Sequence, residues 1–150
     1  MCYIQGKSKL KEATGYKFAV VDKESNIYSS TTGIKYEVGN VKTIPYFENR
    51  ESAESYYDEY VGPIYKLFSP LGYDIFLNYG CFYHKDLVGK TAAFVYRRDA
   101  EVYKPEDESI SDEYKIVIIQ VTFKGDIYLG EYGICKIIAG DYIDKIEICA

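Results

Sequence analysis

The chain has 150 residues, 47% of them hydrophobic and 27% charged, with a net charge of −5. That balance excludes the apolar-poor, charge-rich profile of a disordered chain, and the length predicts a single domain spanning 1–150 around one core. No stretch approaches the roughly 20 apolar residues that span a bilayer as a helix, and the opening Met1-Cys2-Tyr3-Ile4-Gln5-Gly6 is neither a charged leader nor an apolar signal core, so a cytoplasmic protein with no membrane partner is expected.

The first segment that reads as a strand is Tyr16-Lys17-Phe18-Ala19-Val20-Val21. The turn formers Asp22-Lys23-Glu24-Ser25-Asn26 then predict a hairpin whose second arm is Ile27-Tyr28-Ser29. A further strand is expected over Ile34 to Val38, closed by Gly39-Asn40, with Val41 to Ile44 free to pair before Pro45 ends the run. From Asn49 the apolar period changes from two to that of a helix: Ala53, Tyr56, Tyr57, Tyr60, Ile64 and Leu67 share a face, with Asn49 or Ser52 available as N-cap. That helix is expected to pack on one face of the sheet and to turn Glu51, Glu54 and Asp58 to solvent, while Gly62-Pro63 stops or kinks it.

Beyond the turn at Ser69-Pro70-Leu71-Gly72, the segments Tyr73 to Leu77 and Cys81 to His84 read as two strands. Residues 91–96 admit strand or helix, and strand is the expectation, followed by a short helix from Arg97 to Tyr103. Lys104 to Glu113, with Pro105 and five acidic residues, reads as an exposed loop. The continuous β-branched run within Tyr114 to Phe123 predicts a strand buried on both faces at the centre of the sheet. Ile127 to Leu129 follows the Gly125-Asp126 turn, Gly130 and Gly133 are expected to bracket another turn, and Cys135 to Ala139 and Ile143 to Ile148 complete the fold. The class is therefore α+β, a mostly antiparallel sheet with one main amphipathic helix and one or two short helices.

The chain holds 18 Tyr and 7 Phe but no Trp, so tyrosine dominates the aromatic packing. Its apolar ring and single hydroxyl suit half-buried strand positions and recognition surfaces alike. The cysteines Cys2, Cys81, Cys135 and Cys149 are scattered without a CxxC pair, and one histidine, His84, accompanies them. This predicts reduced thiols, with Cys81 and Cys135 as small core residues, and calls for neither a metal nor another cofactor.

Candidates for chemistry are incomplete. Val88-Gly89-Lys90-Thr91 has the end of a phosphate-binding loop, but the first glycine that loop needs falls on His84, so a turn is expected. Removal of Met1 would leave Cys2 beside a free amine, yet no base is identified for it and a structural role is the simpler reading. His84 is the one imidazole available for acid-base work near neutral pH, with Tyr83, Lys85 and Asp86 as sequence neighbours. Adjacent strand residues point to opposite faces, so they need not converge.

Ser30-Thr31-Thr32 and Glu106-Asp107-Glu108 resemble pieces of the ADP-ribosyltransferase pattern, but the arginine that pattern puts on an early strand is missing, since Arg50 is the first in the chain. A second resemblance is carried by Tyr28-Ser29-Ser30-Thr31-Thr32-Gly33-Ile34-Lys35-Tyr36-Glu37-Val38-Gly39, with Gly130-Glu131-Tyr132-Gly133 leading into Lys145-Ile146-Glu147-Ile148. These phrases resemble a hairpin and a closing strand found in small phage, viral and bacterial proteins without assigned activity. The resemblance implies a viral or mobile-element origin and carries no catalytic residue.

Charge is unevenly placed. Glu48 to Glu59 has a net charge of −4 and Glu106 to Glu113 one of −5, which leaves +4 for the rest. Two such segments disfavour nucleic acid as a partner, because they repel the phosphate backbone, and they suit docking on a basic protein. The expected function is thus a non-enzymatic protein-interaction module of phage or viral accessory type, which binds or modulates a basic host protein. Its candidate face comprises Glu51, Glu54, Asp58, Glu106, Asp107 and Glu108. The alternative is a small enzyme that uses His84 with pocket tyrosines.

Overall fold

The centre of the sheet is a ladder between two eleven-residue strands, β2 (Glu12–Asp22) and β6 (Tyr114–Lys124), paired antiparallel from Glu12↔Lys124 to Asp22↔Tyr114 without a break. The structure is a computed structural model that describes residues 2–30, 34–42, 47–56, 58–59, 88–104 and 113–149. Within it the strands are β1 (Cys2–Lys7), β2, β3 (Ile27–Tyr28), β4 (Gly39–Asn40), β5 (Thr91–Phe94), β6, β7 (Ile127–Tyr132), β8 (Cys135–Gly140) and β9 (Tyr142–Ile148). They form a sheet in the order β1-β7-β8-β5-β2-β6-β9-β4, with β3 on β2, and every pairing is antiparallel. Two seven-residue helices, α1 (Arg50–Tyr56) and α2 (Arg97–Tyr103), accompany the sheet.

Strand β6 explains the curvature. Ile119, Val121 and Phe123 project from one face and Ile116 and Ile118 from the other, and all five are buried. On the first face they meet Ala19, Ala93, Ile127, Ile138 and Ile143, contributed by five other strands. Ribbons as far apart in strand order as β6 and β8 share this cluster, so the sheet curls around it. Complete burial of each large aliphatic or aromatic side chain contributes roughly 1.5–3 kcal/mol.

The curl requires glycine at two points. A Cβ on Gly15 would lie 2.8 Å from Ala93 Cβ and 2.9 Å from the Phe94 carbonyl oxygen, and one on Gly140 would lie 2.8 Å from the Phe123 ring. Neither contact is one that a carbon atom tolerates without displacement of its neighbours.

Strands β2 and β5 share only the pair Tyr16↔Phe94 before β3 takes the place beside Val20 and Val21. At this split the Lys17 ammonium donates to the Ala92 carbonyl at 3.0 Å and lies 4.8 Å from the centre of the Tyr36 ring. A cation with a long stem thereby serves a carbonyl beside the lapse in the ladder, with its charge over an aromatic face.

The hairpin after β2 is set by Asp22. Its Oδ1 accepts from the backbone N–H groups of Glu24 and Asn26, and its Oδ2 accepts from the Asn26 side-chain amide and the Tyr28 hydroxyl. Ser25 takes the left-handed conformation, with φ of 66°, that closes the turn. Desolvation is the largest single influence on Asp22 and pushes its carboxyl up, but the four hydrogen bonds together outweigh it and hold the group below its ordinary 3.8.

Several expectations are met in this arrangement: the long strand at 114–123 lies inside the sheet, 91–94 is strand and Arg97–Tyr103 is helix. Other expectations need correction. Ile34 to Val38 is no strand, since its one bridge is Lys35 with Tyr28. Gly39 has φ of 122°, and Gly39–Asn40 pairs with β9 instead of closing a strand over Ile34 to Val38. Gly130 lies inside β7, opposite Ile137, and brackets no turn. Strand β1 was not expected at all, and Cys2 pairs there with Tyr132.

The helix at 50 begins as expected, with Asn49 Oδ1 accepting from the Ser52 N–H at 2.9 Å, and its Tyr56 ring packs 5.3 Å from that of buried Phe47. Its continuation from 60 onward and its seat on the sheet lie outside the described residues. So do the strands expected at 73–77 and 81–84, the turn at 69–72 and the loop residues 105–112.

The Asp22 network yields a pH-dependent prediction. Replacement by alanine is expected to lower stability by about 1 kcal/mol at neutral pH, since the carboxylate is half-exposed. A depressed carboxyl stabilises fully above its unfolded value and ceases to do so as pH falls through the lower folded value. Urea denaturation should therefore show the gap between wild type and Asp22→Ala closing below pH 3.8. A gap that persists unchanged into strong acid would contradict the role given to the charge.

Candidate functional site

Strand β5 ends at Phe94, but the Val95 N–H still donates to the Lys136 carbonyl at 3.0 Å and so carries the chain along β8 into α2. Tyr96 is extended at the N-cap, and its carbonyl accepts from the Asp99 N–H at 3.1 Å. Arg97 and Glu101 pair across one turn at 2.9 Å. At the other end the Lys104 N–H donates to Ala100, after which extended backbone, favoured before Pro105, stops the helix. Ala100 is fully buried against Phe94, Ile118 and Ile137, so α2 lies close on the sheet face opposite the main core.

Three rings fix this helix. Tyr103 stacks on Phe94 with centroids 5.5 Å apart and planes 4° from parallel, and Tyr132 meets both edge-on at 5.0 and 5.7 Å. Such geometries contribute about 0.5–1.5 kcal/mol per pair beyond area burial. They bring α2 beside the β7–β8 hairpin, whose register, Tyr132↔Cys135, leaves Gly133 and Ile134 as a two-residue turn. Gly133 has φ of 59°, which places a glycine at the first central position, as a type II′ turn requires.

The consequence is an apolar tip. Ile134 is 99% exposed, and beside its turn Tyr96 is 46% and Tyr103 40% exposed. Between Tyr96 and Ile134 lies a recess of about 360 Å³ that is lined in addition by Arg98, Asp99, Cys135 and Lys136. Arg98 lies 4.9 Å from the centre of the Tyr96 ring. Cations and anions alternate here: Arg97 with Glu101, Arg98 beside Asp99, and Lys136 in register with Glu131.

Cys135 is the one thiol in the recess, and burial pushes it above its ordinary 9.0. The neighbouring Asp99 carboxylate raises it further, both through its charge and by accepting from the thiol, while the Tyr103 hydroxyl and Arg98 act weakly the other way. A thiol held up in this way is protonated at neutral pH and is a poor nucleophile. Cys135 and Cys149 are both free and half-buried.

The residues singled out in the sequence fare unevenly. Glu51 and Asp58 are exposed, whereas Glu54 is half-buried and engaged in a contact. Glu106, Asp107, Glu108, Cys81 and His84 with its neighbours lie outside the described residues. The segment 88–91 is a turn leading into β5, with Gly89 at φ of 78°. Among the described residues no helix is long and apolar enough to cross a membrane, and no three His, Cys, Asp or Glu side chains gather as a metal cluster would need. Sequence reasoning missed Ile134. An isoleucine directly after the glycine of a two-residue turn is the signal that could have found it, since such tips usually carry polar residues.

The Asp99 contact predicts that Asp99→Asn, which removes the adjacent charge, speeds alkylation of Cys135 by iodoacetamide several-fold at mildly alkaline pH. Peptide mass spectrometry would follow the rate, with Cys149 as internal reference. An unchanged or slower rate at Cys135 would remove Asp99 as the cause.

No known protein family, curated protein or solved structure gave a match to this chain.

Proposed function

We propose that this protein is a non-enzymatic interaction module, of the accessory kind its hairpin phrase resembles, which binds a basic host protein and anchors to it through the tip around Ile134. The observation that carries this reading is the 99% exposure of Ile134 beside Tyr96, with Tyr103 against the same turn. A solvated turn gains nothing from a fully exposed isoleucine, whereas an interface gains an apolar anchor rimmed by aromatic rings. The recess beside it is an open one with a protonated thiol, and it supplies no activated nucleophile.

The charge supports the nature of the partner. A chain of net −5, with carboxylates concentrated near Glu51, Glu54 and Asp58 and near Glu106, Asp107 and Glu108, draws a basic surface toward it over several ångströms before contact. Anchoring and steering are then separate properties of separate residues.

Ile134→Ser should leave thermal stability within about 0.5 kcal/mol of wild type, because the side chain is 99% exposed. It should weaken partner binding by about tenfold or more. Parallel affinity capture from host lysate would use wild type, Ile134→Ser and the control Leu10→Ser, which changes another exposed residue. A protein retained by wild type and the control but lost with Ile134→Ser is the expected result. Identical retention by all three would exclude the tip as the interface.

A further inference from the structure

The other feature of note lies away from this corner, on the edge formed by β9. That strand pairs with β6 along one side, but on the other side β4 covers only Tyr142 and Ile143. The direction of the remaining backbone groups follows from one bond: the Cys149 N–H donates to the Ile118 carbonyl at 2.9 Å. Alternation in an antiparallel ladder then turns Glu147 and Lys145 toward β6, and turns the N–H and C=O of Ile146 and Ile148 outward. These outward groups have no hydrogen-bond partner among the described residues. Both outer strands carry an irregularity: β1 has a register shift between Ile4 and Gly6, and β9 has one opposite Thr122 and Phe123, where Asp144 is the extra residue, so β9 is regular from Lys145 onward.

This stretch, without a partner strand among the described residues beyond Ile143, is its own complement. Lys145 and Glu147 project from the face opposite the main core, are ion-paired to each other at 2.9 Å and remain 64% and 48% exposed. Two copies of β9 that meet antiparallel must oppose residues of the same face, and the outward-pointing residues must oppose each other. Two central registers satisfy this. One is centred on Glu147 and opposes two like carboxylates, which is destabilising. The other is centred on Ile146, pairs its outward backbone groups with those of the second Ile146, and sets Lys145 opposite Glu147 twice. Its regular pairs, Lys145 with Glu147 on either side of Ile146, lie beyond the part of β9 that β4 covers and beyond the irregularity at Asp144.

We infer that the β9 edge is a self-association surface, and that a second copy of this chain adds to it antiparallel in the register centred on Ile146. Isolated charges on an edge strand block such pairing, whereas alternating charges in this arrangement select one register for it.

Sedimentation equilibrium of the full chain over a concentration series tests the inference. Wild type should show a monomer–dimer equilibrium. Lys145→Glu, which opposes carboxylate to carboxylate twice, should weaken it by roughly tenfold, and Glu147→Lys should do the same with opposed ammoniums. The charge swap Lys145→Glu/Glu147→Lys should restore association to about the wild-type constant. Both positions are exposed, so unfolding temperatures serve as a check that each variant is folded. A monomeric wild type, single variants that associate as wild type does, or a swap that fails to restore association would each overturn the proposal.

Discussion

Burial of β6 on both faces is the constraint from which the rest of the structure follows. A strand with Ile118 on one side and Ile119 on the other needs cover in two directions. Curvature of the sheet supplies one cover, by wrapping β5, β7, β8 and β9 around Ile119, Val121 and Phe123. Helix α2 supplies the other, with fully buried Ala100 small enough to let it approach Ile118. The glycines at 15 and 140 are consequences of the first demand, and the ring cluster of Phe94, Tyr103 and Tyr132 is a consequence of the second.

Much of this was legible because strong local signals and tertiary demands agree. The apolar run in β6, the turn chemistry of Asp22 to Asn26 and the short helix expected from Arg97 to Tyr103 each match the element that forms. What could not be read were decisions made by distant partners. Gly39–Asn40 is a strand because β9 lies beside it, and Ile34 to Val38 is not one because only Lys35 reaches Tyr28. Strand β1 escaped notice because a half-exposed edge with a bulge has no clean alternation to recognise. The tyrosine-rich composition was informative in kind: Tyr16, Tyr28, Tyr36, Tyr114, Tyr128 and Tyr132 are all half-buried, as a residue with one apolar and one wet end should be.

The candidate site was less legible for a related reason. Acidic residues announce themselves in a sequence, whereas an exposed isoleucine is indistinguishable from a buried one until the turn that carries it is placed. The tip around Ile134 exists because the Tyr132↔Cys135 register leaves no room for a longer loop, and because the ring cluster holds Tyr103 against that turn. The proposed contact surface is thus built by rigid elements, with the hairpin and helix braced against the same two-sided strand, and this limits the entropy lost on binding.

The central claim is that the β2–β6 ladder is the most protected part of the molecule and that the other elements are assembled on it. Native-state hydrogen exchange resolved by residue measures this directly. The account predicts that the amides from Ile118 to Phe123, which β2 and β9 flank on both sides, exchange through global unfolding and are the slowest in the chain. Exchange there as fast as in the edge strand β1, or protection greater in β7 and β8 than in β6, would contradict it.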